Sequence, residues 1–206
     1  MKVRLYVEGG AVSRKDDLIK SRRALTAWLK KLDLVNLPQV ALTGPGPKAL
    51  AEAEARTKQA KGQETVLALV DSEGTLENIE QPLSLFQAKH KTKFIYLTDE
   101  QILVMVQCME AWICADKNAV REAYPKGQHS NRFEQENPES KTPPQLCKYL
   151  EKVSKKPDQD KPLYKKGKPA FELFGKTDPN IVAHRCPSAE RAIRILKNVC
   201  NAADLS

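Results

Sequence analysis

The sequence predicts an α/β fold in which a parallel sheet is flanked by helices and followed by an α-helical C-terminal extension. Over the first 71 residues, strand-like and helix-like segments alternate in the order β-α-β-α-β. Right-handed crossovers turn such an alternation into a parallel sheet. The segment TVLALV at 65–70 is apolar without alternation, which is typical of a strand buried on both faces. Beyond a polar, turn-rich segment that begins at residue 127, the sequence becomes basic and helical in pattern, which predicts the extension.

The first part of the chain supplies the elements of the sheet. A strand is expected at KVRLYV (2–7), where apolar and polar residues alternate. Ser13 followed by Asp16 is a variant of the capping box and predicts a helix that continues to about Lys31. The elements that follow are, in order, a strand at 39–42, a helix after a turn at 44–48, and the apolar strand at 65–70.

The signals beyond residue 73 are weaker. Two more strands are predicted at KFIYL (93–97) and ILVMVQ (102–107), and one or two short helices at 109–125. The polar segment 127–144 is rich in turn residues, which indicates a loop or a boundary. Further helices are predicted at 143–156, 169–176 and 187–203. We therefore divide the chain into an α/β core at 1–125 and a basic helical extension at 126–206 that packs on the core.

Composition excludes several classes of protein. Hydrophobic residues make up 41% of the chain and charged residues 29%, as in ordinary globular proteins. The longest apolar runs, VLALV and ILVMV, are far shorter than the ~20 residues of a membrane span. The start lacks the apolar stretch of a secretory signal, and the 5 cysteines lack CxxC spacing. We expect a cytoplasmic protein without membrane contact, and a homo-oligomer remains open.

Acidic residues follow two of the predicted strands directly. Glu8 comes after the first strand, and Asp71 and Glu73 come after the apolar one. In a parallel sheet the carboxyl ends of the strands meet at one edge, where ligands bind. Residues i and i+2 of an extended segment point the same way, so Asp71 and Glu73 are expected to converge. Carboxylates gathered in this way favour a hard cation such as Mg²⁺, whereas acids that merely end strands would be solvated loop residues.

These acidic motifs resemble the TOPRIM domain of topoisomerases, DnaG-type primases and OLD-family nucleases. The resemblance lies in Val7-Glu8-Gly9 and in Asp71-Ser72-Glu73, with Glu73 at a position where the family most often has Asp. The segments VQCMEAWICAD (106–116) and KKGKPAFELFGKTDPNIV (165–182) resemble a small bacterial TOPRIM-like family of unknown function. Its members are often encoded beside an AAA or ABC-type ATPase, in neighbourhoods similar to anti-phage defence loci.

The resemblance implies a TOPRIM-like sheet and a set of site residues. Glu8 would act as a metal ligand or general acid/base, and Asp71 and Glu73 would hold the metal, Mg²⁺ or Mn²⁺. Glu110 matches a further acid of OLD-like relatives and would complete a second metal position. Alternatively, Glu110 is an acid placed near a helix N-terminus by the helix dipole.

A basic segment supplies the candidate nucleic-acid contacts. The chain has a net charge of +8 and a pI near 9.2, which favours a polyanionic partner. Residues 141–168 contain nine lysines and three acids. Interleaved with Tyr149 and Tyr164, these lysines could follow a phosphate backbone. The densest part contributes Lys165, Lys166 and Lys168 as expected nucleic-acid contacts, and the alternative is a solvated charged loop.

Together these features predict a Mg²⁺-dependent nuclease that hydrolyses phosphodiester bonds of DNA or RNA. By resemblance, it would be an anti-phage defence effector controlled by a partner ATPase. The alternative from another class is a non-catalytic regulatory or adaptor subunit that docks on an ATPase or on nucleic acid. Primer synthesis ranks last, because the chain lacks room for the additional domains of such enzymes.

Overall fold

Parallel strands in the order β2-β1-β3-β4 form the central sheet. The computed structural model describes residues 2–9, 15–155 and 163–202. The strands are β1 (Lys2–Glu8), β2 (Gln39–Thr43), β3 (Glu64–Asp71) and β4 (Ile102–Met105). This arrangement confirms the predicted α/β class with its parallel sheet, the β-α-β-α-β order and the strand at ILVMVQ.

Helices flank the sheet and make up the C-terminal part of the chain. They are α1 (Lys15–Lys30), α2 (Gly46–Ala60), α3 (Pro82–His90), α4 (Met109–Ala115), α5 (Lys117–Ala123), α6 (Asn131–Gln135), α7 (Pro143–Ser154), α8 (Lys168–Phe174), α9 (Pro179–Arg185) and α10 (Pro187–Asn201). Short 3₁₀ turns lie at Asp99–Gln101 and Pro138–Ser140. Within the described ranges, no helix combines the length and the apolar character that a membrane crossing requires.

The register of the sheet places two acidic residues side by side. Val7 of β1 lies opposite Leu69 of β3. Asp71, at the end of β3, lies opposite Met105 of β4. Glu8 is the last residue of β1, and Asp71 is the last residue of β3. Because the strands are parallel, both side chains are at the carboxyl edge of the sheet.

Each face of the sheet carries its own apolar core. On one face, Val66, Val70 and Phe86 pack with residues of α2. On the other face, Leu5 and Leu67 share one core with side chains from the N-terminal and C-terminal helices, which are Trp28, Trp112, Leu150, Phe174 and Leu196. The ring of Trp28 lies 4.9 Å from that of Phe174 and 5.9 Å from that of Trp112, measured between centroids. The C-terminal helices therefore pack directly against the sheet.

The strand predicted at KFIYL is wrong. Residues 93–97 are irregular, because the carboxylate of Glu54 on α2 accepts hydrogen bonds from the amides of Ile95, Tyr96 and Leu97. A ladder partner would need some of those same amides. Of the apolar residues of the segment, Phe94 and Leu97 are buried in the core beside α2.

Other parts of the chain differ from the prediction in detail. Helices α3 and α9 were not predicted, and the supposed loop at 127–144 contains α6 and a 3₁₀ turn. Ser13, which was expected to cap the first helix, lies outside the described residues, as does part of the basic segment at 156–162.

Candidate active site

Glu8 is held at the end of β1 by two backbone amides. Its Oε2 accepts a hydrogen bond from the amide of Asp71, 3.0 Å away, and the amide of Gly46 at the start of α2 donates another. A Cβ added at Gly46 would lie 2.9 Å from the same oxygen, so the glycine makes room for the carboxylate. Burial raises the pKa of Glu8 and repulsion by Glu73 adds to the rise, against the lowering effect of the two amides and Lys89.

Asp71 is the next carboxylate along the edge. Its Oδ1 accepts a hydrogen bond of 2.9 Å from the amide of Met109, at the start of α4. Burial raises the pKa of Asp71 well above its usual value, and repulsion by Glu8 and Glu110 raises it further. Two nearby negative charges therefore oppose ionisation of Asp71 unless a cation joins them.

Glu110 reaches the same place from the first turn of α4 and is buried. The hydroxyl of Tyr164 donates a hydrogen bond of 2.6 Å to its Oε1. Burial raises the pKa of this tyrosine, and the negative charge of Glu110 adds to that effect. Glu110 thus lies near a helix N-terminus, as the helix-dipole alternative expects, and is also close enough to Asp71 to raise its pKa.

The acids predicted from the sequence border one cleft of about 200 Å³. Its lining residues are Glu8, Gly9, Asp71, Glu73, Met105, Met109, Glu110, Lys166, Gly167 and Phe171. The carboxyl ends of three strands, the start of α4 and the segment before α8 therefore contribute to a single cavity. Its lining combines carboxylate oxygens, a lysine and an apolar wall.

Glu73 lines the cleft together with Asp71. Its φ is +54°, so the segment after Asp71 is not extended and the i, i+2 geometry of a strand does not apply to this pair. Lys89 donates a hydrogen bond of 2.7 Å to the Glu73 carboxylate, whose side chain is 64% exposed. This hydrogen bond lowers the pKa of Glu73.

The lysines of the basic segment have different positions. Lys166 lines the cleft. Burial alone would lower its pKa, but attraction by Glu110 and Asp71 outweighs that effect and raises it. Lys168 instead lies 3.9 Å from Asp17 and 3.7 Å from Glu172, and Lys165 is exposed and outside the lining.

The two tyrosines that interleave these lysines lie inside the protein. Tyr149 and Tyr164 are both buried, so neither ring is available to stack on a base. Sequence reasoning also missed Lys89, which donates to the carbonyl of Ser72 and to Glu73 at the rim of the cleft. The only available signal for Lys89 was its charge, because its position depends on α3, which was not predicted.

The donor set of the cleft suits a hard divalent cation bound by few protein ligands. In the described ranges, no three side chains of the His, Cys, Asp or Glu type are grouped to hold one metal ion. Mg²⁺ is usually held by one or two carboxylates, with water and substrate phosphate completing its shell. Asp71 and Glu110, with Glu8 in the same lining, provide oxygen ligands of that kind, and the one lysine of the lining leaves their negative charge in excess.

One comparison with known proteins gives a match. The family model described as "Domain of unknown function (DUF4276)" matches residues 17–197. No curated protein and no solved structure matches the chain. The matched range contains Asp71, Glu73, Glu110 and Lys166, and it begins after Glu8.

Proposed function

We propose that this chain, which belongs to the family described as "Domain of unknown function (DUF4276)", is a Mg²⁺-dependent TOPRIM-like nuclease. It would hydrolyse phosphodiester bonds of DNA or RNA, with Mg²⁺ or Mn²⁺ as the metal. The observation that supports this best is the meeting of Glu8, Asp71 and Glu110 in one cleft beside Lys166. The kinship with TOPRIM and OLD-type nucleases is part of the proposal and is supported by the sequence resemblance alone.

The residues of the cleft have distinct roles in this proposal. Asp71 and Glu110 would hold the divalent cation, which when bound supplies Lewis-acid polarisation of a phosphate oxygen. The Glu8 carboxylate, with its raised pKa, takes a proton from the attacking water as a general base. Lys166 binds a non-bridging phosphate oxygen through its ammonium group.

Two further residues adjust the positions of these groups. Tyr164 holds the Glu110 carboxylate in place through its hydroxyl, which donates a hydrogen bond to Oε1. Glu73 joins the ligands only when its ion pair with Lys89 breaks. In this proposal the position of Glu110 is fixed by Tyr164, and the one side chain that moves on metal binding is that of Glu73.

A biological role follows from the resemblance rather than from the geometry. We propose that the nuclease acts in the cytoplasm as an anti-phage defence effector and that a partner AAA or ABC-type ATPase controls it. The exposed ion pair of Glu73 and Lys89 lies at the rim of the cleft, where a bound partner could reach it.

A non-catalytic adaptor subunit is the second candidate. The observation that favours it is the ion pair of Glu73 with Lys89, which engages the carboxylate that the proposed nuclease would need as a metal ligand. In that case the cleft would have a structural role, and the chain would dock on an ATPase or on nucleic acid.

The test is cleavage of plasmid DNA and of total RNA by the purified full chain, with Mg²⁺, with Mn²⁺ and with EDTA. Each reaction is repeated with any ATPase encoded beside the gene. Asp71→Asn and Glu8→Gln remove a charge with little change of shape, and Glu77→Gln, at an exposed position, is the matched control.

Metal-dependent cleavage that both cleft variants lose and the control retains supports the nuclease. Absence of cleavage under every condition, with all variants still binding the ATPase, favours the adaptor instead. Cleavage that persists in EDTA contradicts the role of the metal.

A further inference from the structure

A strip of basic and apolar residues runs along the surface beside the cleft. Residues 89–96 contain three lysines and no acidic residue. Two adjacent large side chains are exposed in it, Ile95 at 72% and Tyr96 at 42%. We call this surface the 89–96 strip and include Lys58, which lies on α2 with its Nζ 5.5 Å from the centre of the Tyr96 ring.

Hydrogen bonds to Glu54 of α2 fix the backbone of the strip. The Glu54 carboxylate accepts hydrogen bonds from the amides of Ile95 at 2.7 Å, Tyr96 at 3.0 Å and Leu97 at 2.9 Å. Phe94 and Leu97 are buried on either side of the exposed pair. The side chains of Ile95 and Tyr96 therefore face the solvent from a backbone that Glu54 fixes in place. The negative charge of the Glu54 carboxylate is stabilised by the same three amides.

The strip is continuous with the cleft. Lys89 of the strip contacts the lining of the cleft, since its Nζ lies 2.7 Å from Oε2 of Glu73, a lining residue, and 3.0 Å from the carbonyl oxygen of Ser72. From there the chain passes through Lys91 and Lys93, both exposed, to Tyr96 beside α2.

We infer that the 89–96 strip binds single-stranded nucleic acid and leads the strand to the cleft. Exposed aromatic rings that alternate with lysines bind single strands by stacking on bases and by contacting phosphates. The strip presents lysines as point charges and a single exposed ring, a composition that favours contact without regard to base sequence. In a duplex the bases stack on one another, so Tyr96 has no free base to contact and single strands are preferred.

This inference deepens the proposed function and rests on it only for the role of the cleft. Binding is therefore measured separately from cleavage, with the full-length Asp71→Asn chain in EDTA. The probes are fluorescein-labelled oligothymidylate and oligouridylate of about 12 nucleotides, a typical site size for single-strand binders, and a labelled duplex of the same length. Fluorescence anisotropy over a range of salt concentrations gives the affinity and its salt dependence.

We expect the single strands to bind more tightly than the duplex. Tyr96→Ala should weaken single-strand binding at least about fivefold, as loss of one stacked base does, while Tyr96→Phe keeps the ring and the affinity. Lys91→Ala and Lys93→Ala should each lower the slope of log affinity against log salt by about 0.7, the value for one phosphate of a single strand. Lys20→Ala, at an exposed position on α1, is the control and should change neither quantity.

Equal binding by Tyr96→Ala and the parent chain, with both folded by circular dichroism, overturns the inference. A preference for the duplex, or a loss of salt dependence in Lys20→Ala equal to that in Lys91→Ala, overturns it as well. If the strip variants lose binding but the wild-type chain cleaves nothing, the inference stands and the nuclease fails. If the chain cleaves and Tyr96→Ala binds normally, only the inference fails.

Discussion

The Oε2 of Glu8 accepts a hydrogen bond from the backbone amide of Asp71 across a distance of 3.0 Å. This bond joins the ends of β1 and β3 and fixes one carboxylate beside another. The pairing has a cost, because burial raises the pKa of both groups. Repulsion by Glu73 adds to the rise at Glu8, and repulsion by Glu8 and Glu110 adds to the rise at Asp71. The arrangement concentrates negative charge at the carboxyl edge of the sheet, and the predictions that follow measure its consequences.

The Glu8 carboxylate should be sensitive to its glycine neighbour. In Gly46→Ala the new Cβ would lie 2.9 Å from Oε2 of Glu8, so the carboxylate must shift. A catalytic group misplaced by roughly 1 Å can lower the reaction rate about 100-fold. We expect a smaller shift of the Glu8 carboxylate here, and a cleavage rate that falls at least about tenfold. Gly74→Ala is the control, because no atom lies within 4 Å of its added Cβ. Equal cleavage by both variants would contradict the role of Glu8.

Removal of the Asp71 charge should stabilise the metal-free protein. Asp71→Asn keeps the oxygen that accepts from Met109 and ends the repulsion by Glu8 and Glu110. Because an ionised Asp71 is buried beside two other carboxylates, we expect the free energy of unfolding at neutral pH to rise in this variant. Urea denaturation in EDTA measures the free energy of unfolding. A stability of Asp71→Asn equal to or lower than that of the wild type would refute this prediction. Glu73→Gln, which loses only an exposed ion pair, should be near neutral or slightly destabilising.

The stability difference between wild type and Asp71→Asn should depend on pH. A carboxyl group whose pKa is raised in the folded state binds more protons folded than unfolded, so its effect on stability becomes more unfavourable as pH rises. The penalty is complete above the folded pKa of Asp71 and absent below its unfolded value of about 3.9. The advantage of Asp71→Asn should therefore shrink as pH falls from 7 toward about 4. Thermal unfolding across that range tests this, and a constant difference would rule out the charge as the cause.

Divalent cations should raise the melting temperature through the same residues. A ligand that binds only the folded state adds about 2.7 kcal/mol when its concentration is 100 times its Kd. We expect Mg²⁺ and Mn²⁺ to stabilise the wild-type chain and the exposed control Glu77→Gln, but not Asp71→Asn. Differential scanning fluorimetry with a metal titration measures the effect. A shift of the same size in Asp71→Asn would place the cation elsewhere.

Ser188 should be critical for the packing of the C-terminal helices. Its hydroxyl accepts a hydrogen bond of 2.8 Å from Nε1 of Trp112 and donates to the buried Glu139 carboxylate. Ser188→Ala leaves both groups without this partner, and we expect a loss of about 1–3 kcal/mol in the free energy of unfolding. Ser84→Ala removes an exposed hydroxyl and is the control for urea denaturation. Similar stabilities for the two variants would disprove the expectation.

The sheet was predictable because its signals are local. Alternation in β1, the uninterrupted apolar run of β3 and the glycine and proline residues before α2 each identify an element from neighbouring residues. The acids at the ends of β1 and β3 follow from the topology, since parallel strands end at one edge.

The errors arise from contacts between distant residues. The segment 93–97 is apolar enough for a strand, but Glu54, 41 residues before Ile95, takes its amides. Glu73 adopts a left-handed backbone and pairs with Lys89, and nothing in the Asp-x-Glu motif indicates either feature. Tyr164 resembled a nucleic-acid contact because it lies among lysines, yet its hydroxyl is bonded to Glu110, 54 residues away.

The order in which the chain leaves the ribosome bears on when the cleft can form. Glu8 and Asp71 emerge early, but the tyrosine that holds Glu110 and the helix that secures β4 emerge late. Arg191 of α10 donates a hydrogen bond of 2.9 Å to the carbonyl of Ile102, the first residue of β4. A nascent chain therefore carries the acids without the finished cavity. For a protein proposed to cut nucleic acid, cleavage is therefore expected only after the segments that carry Tyr164 and Arg191 have folded onto the sheet.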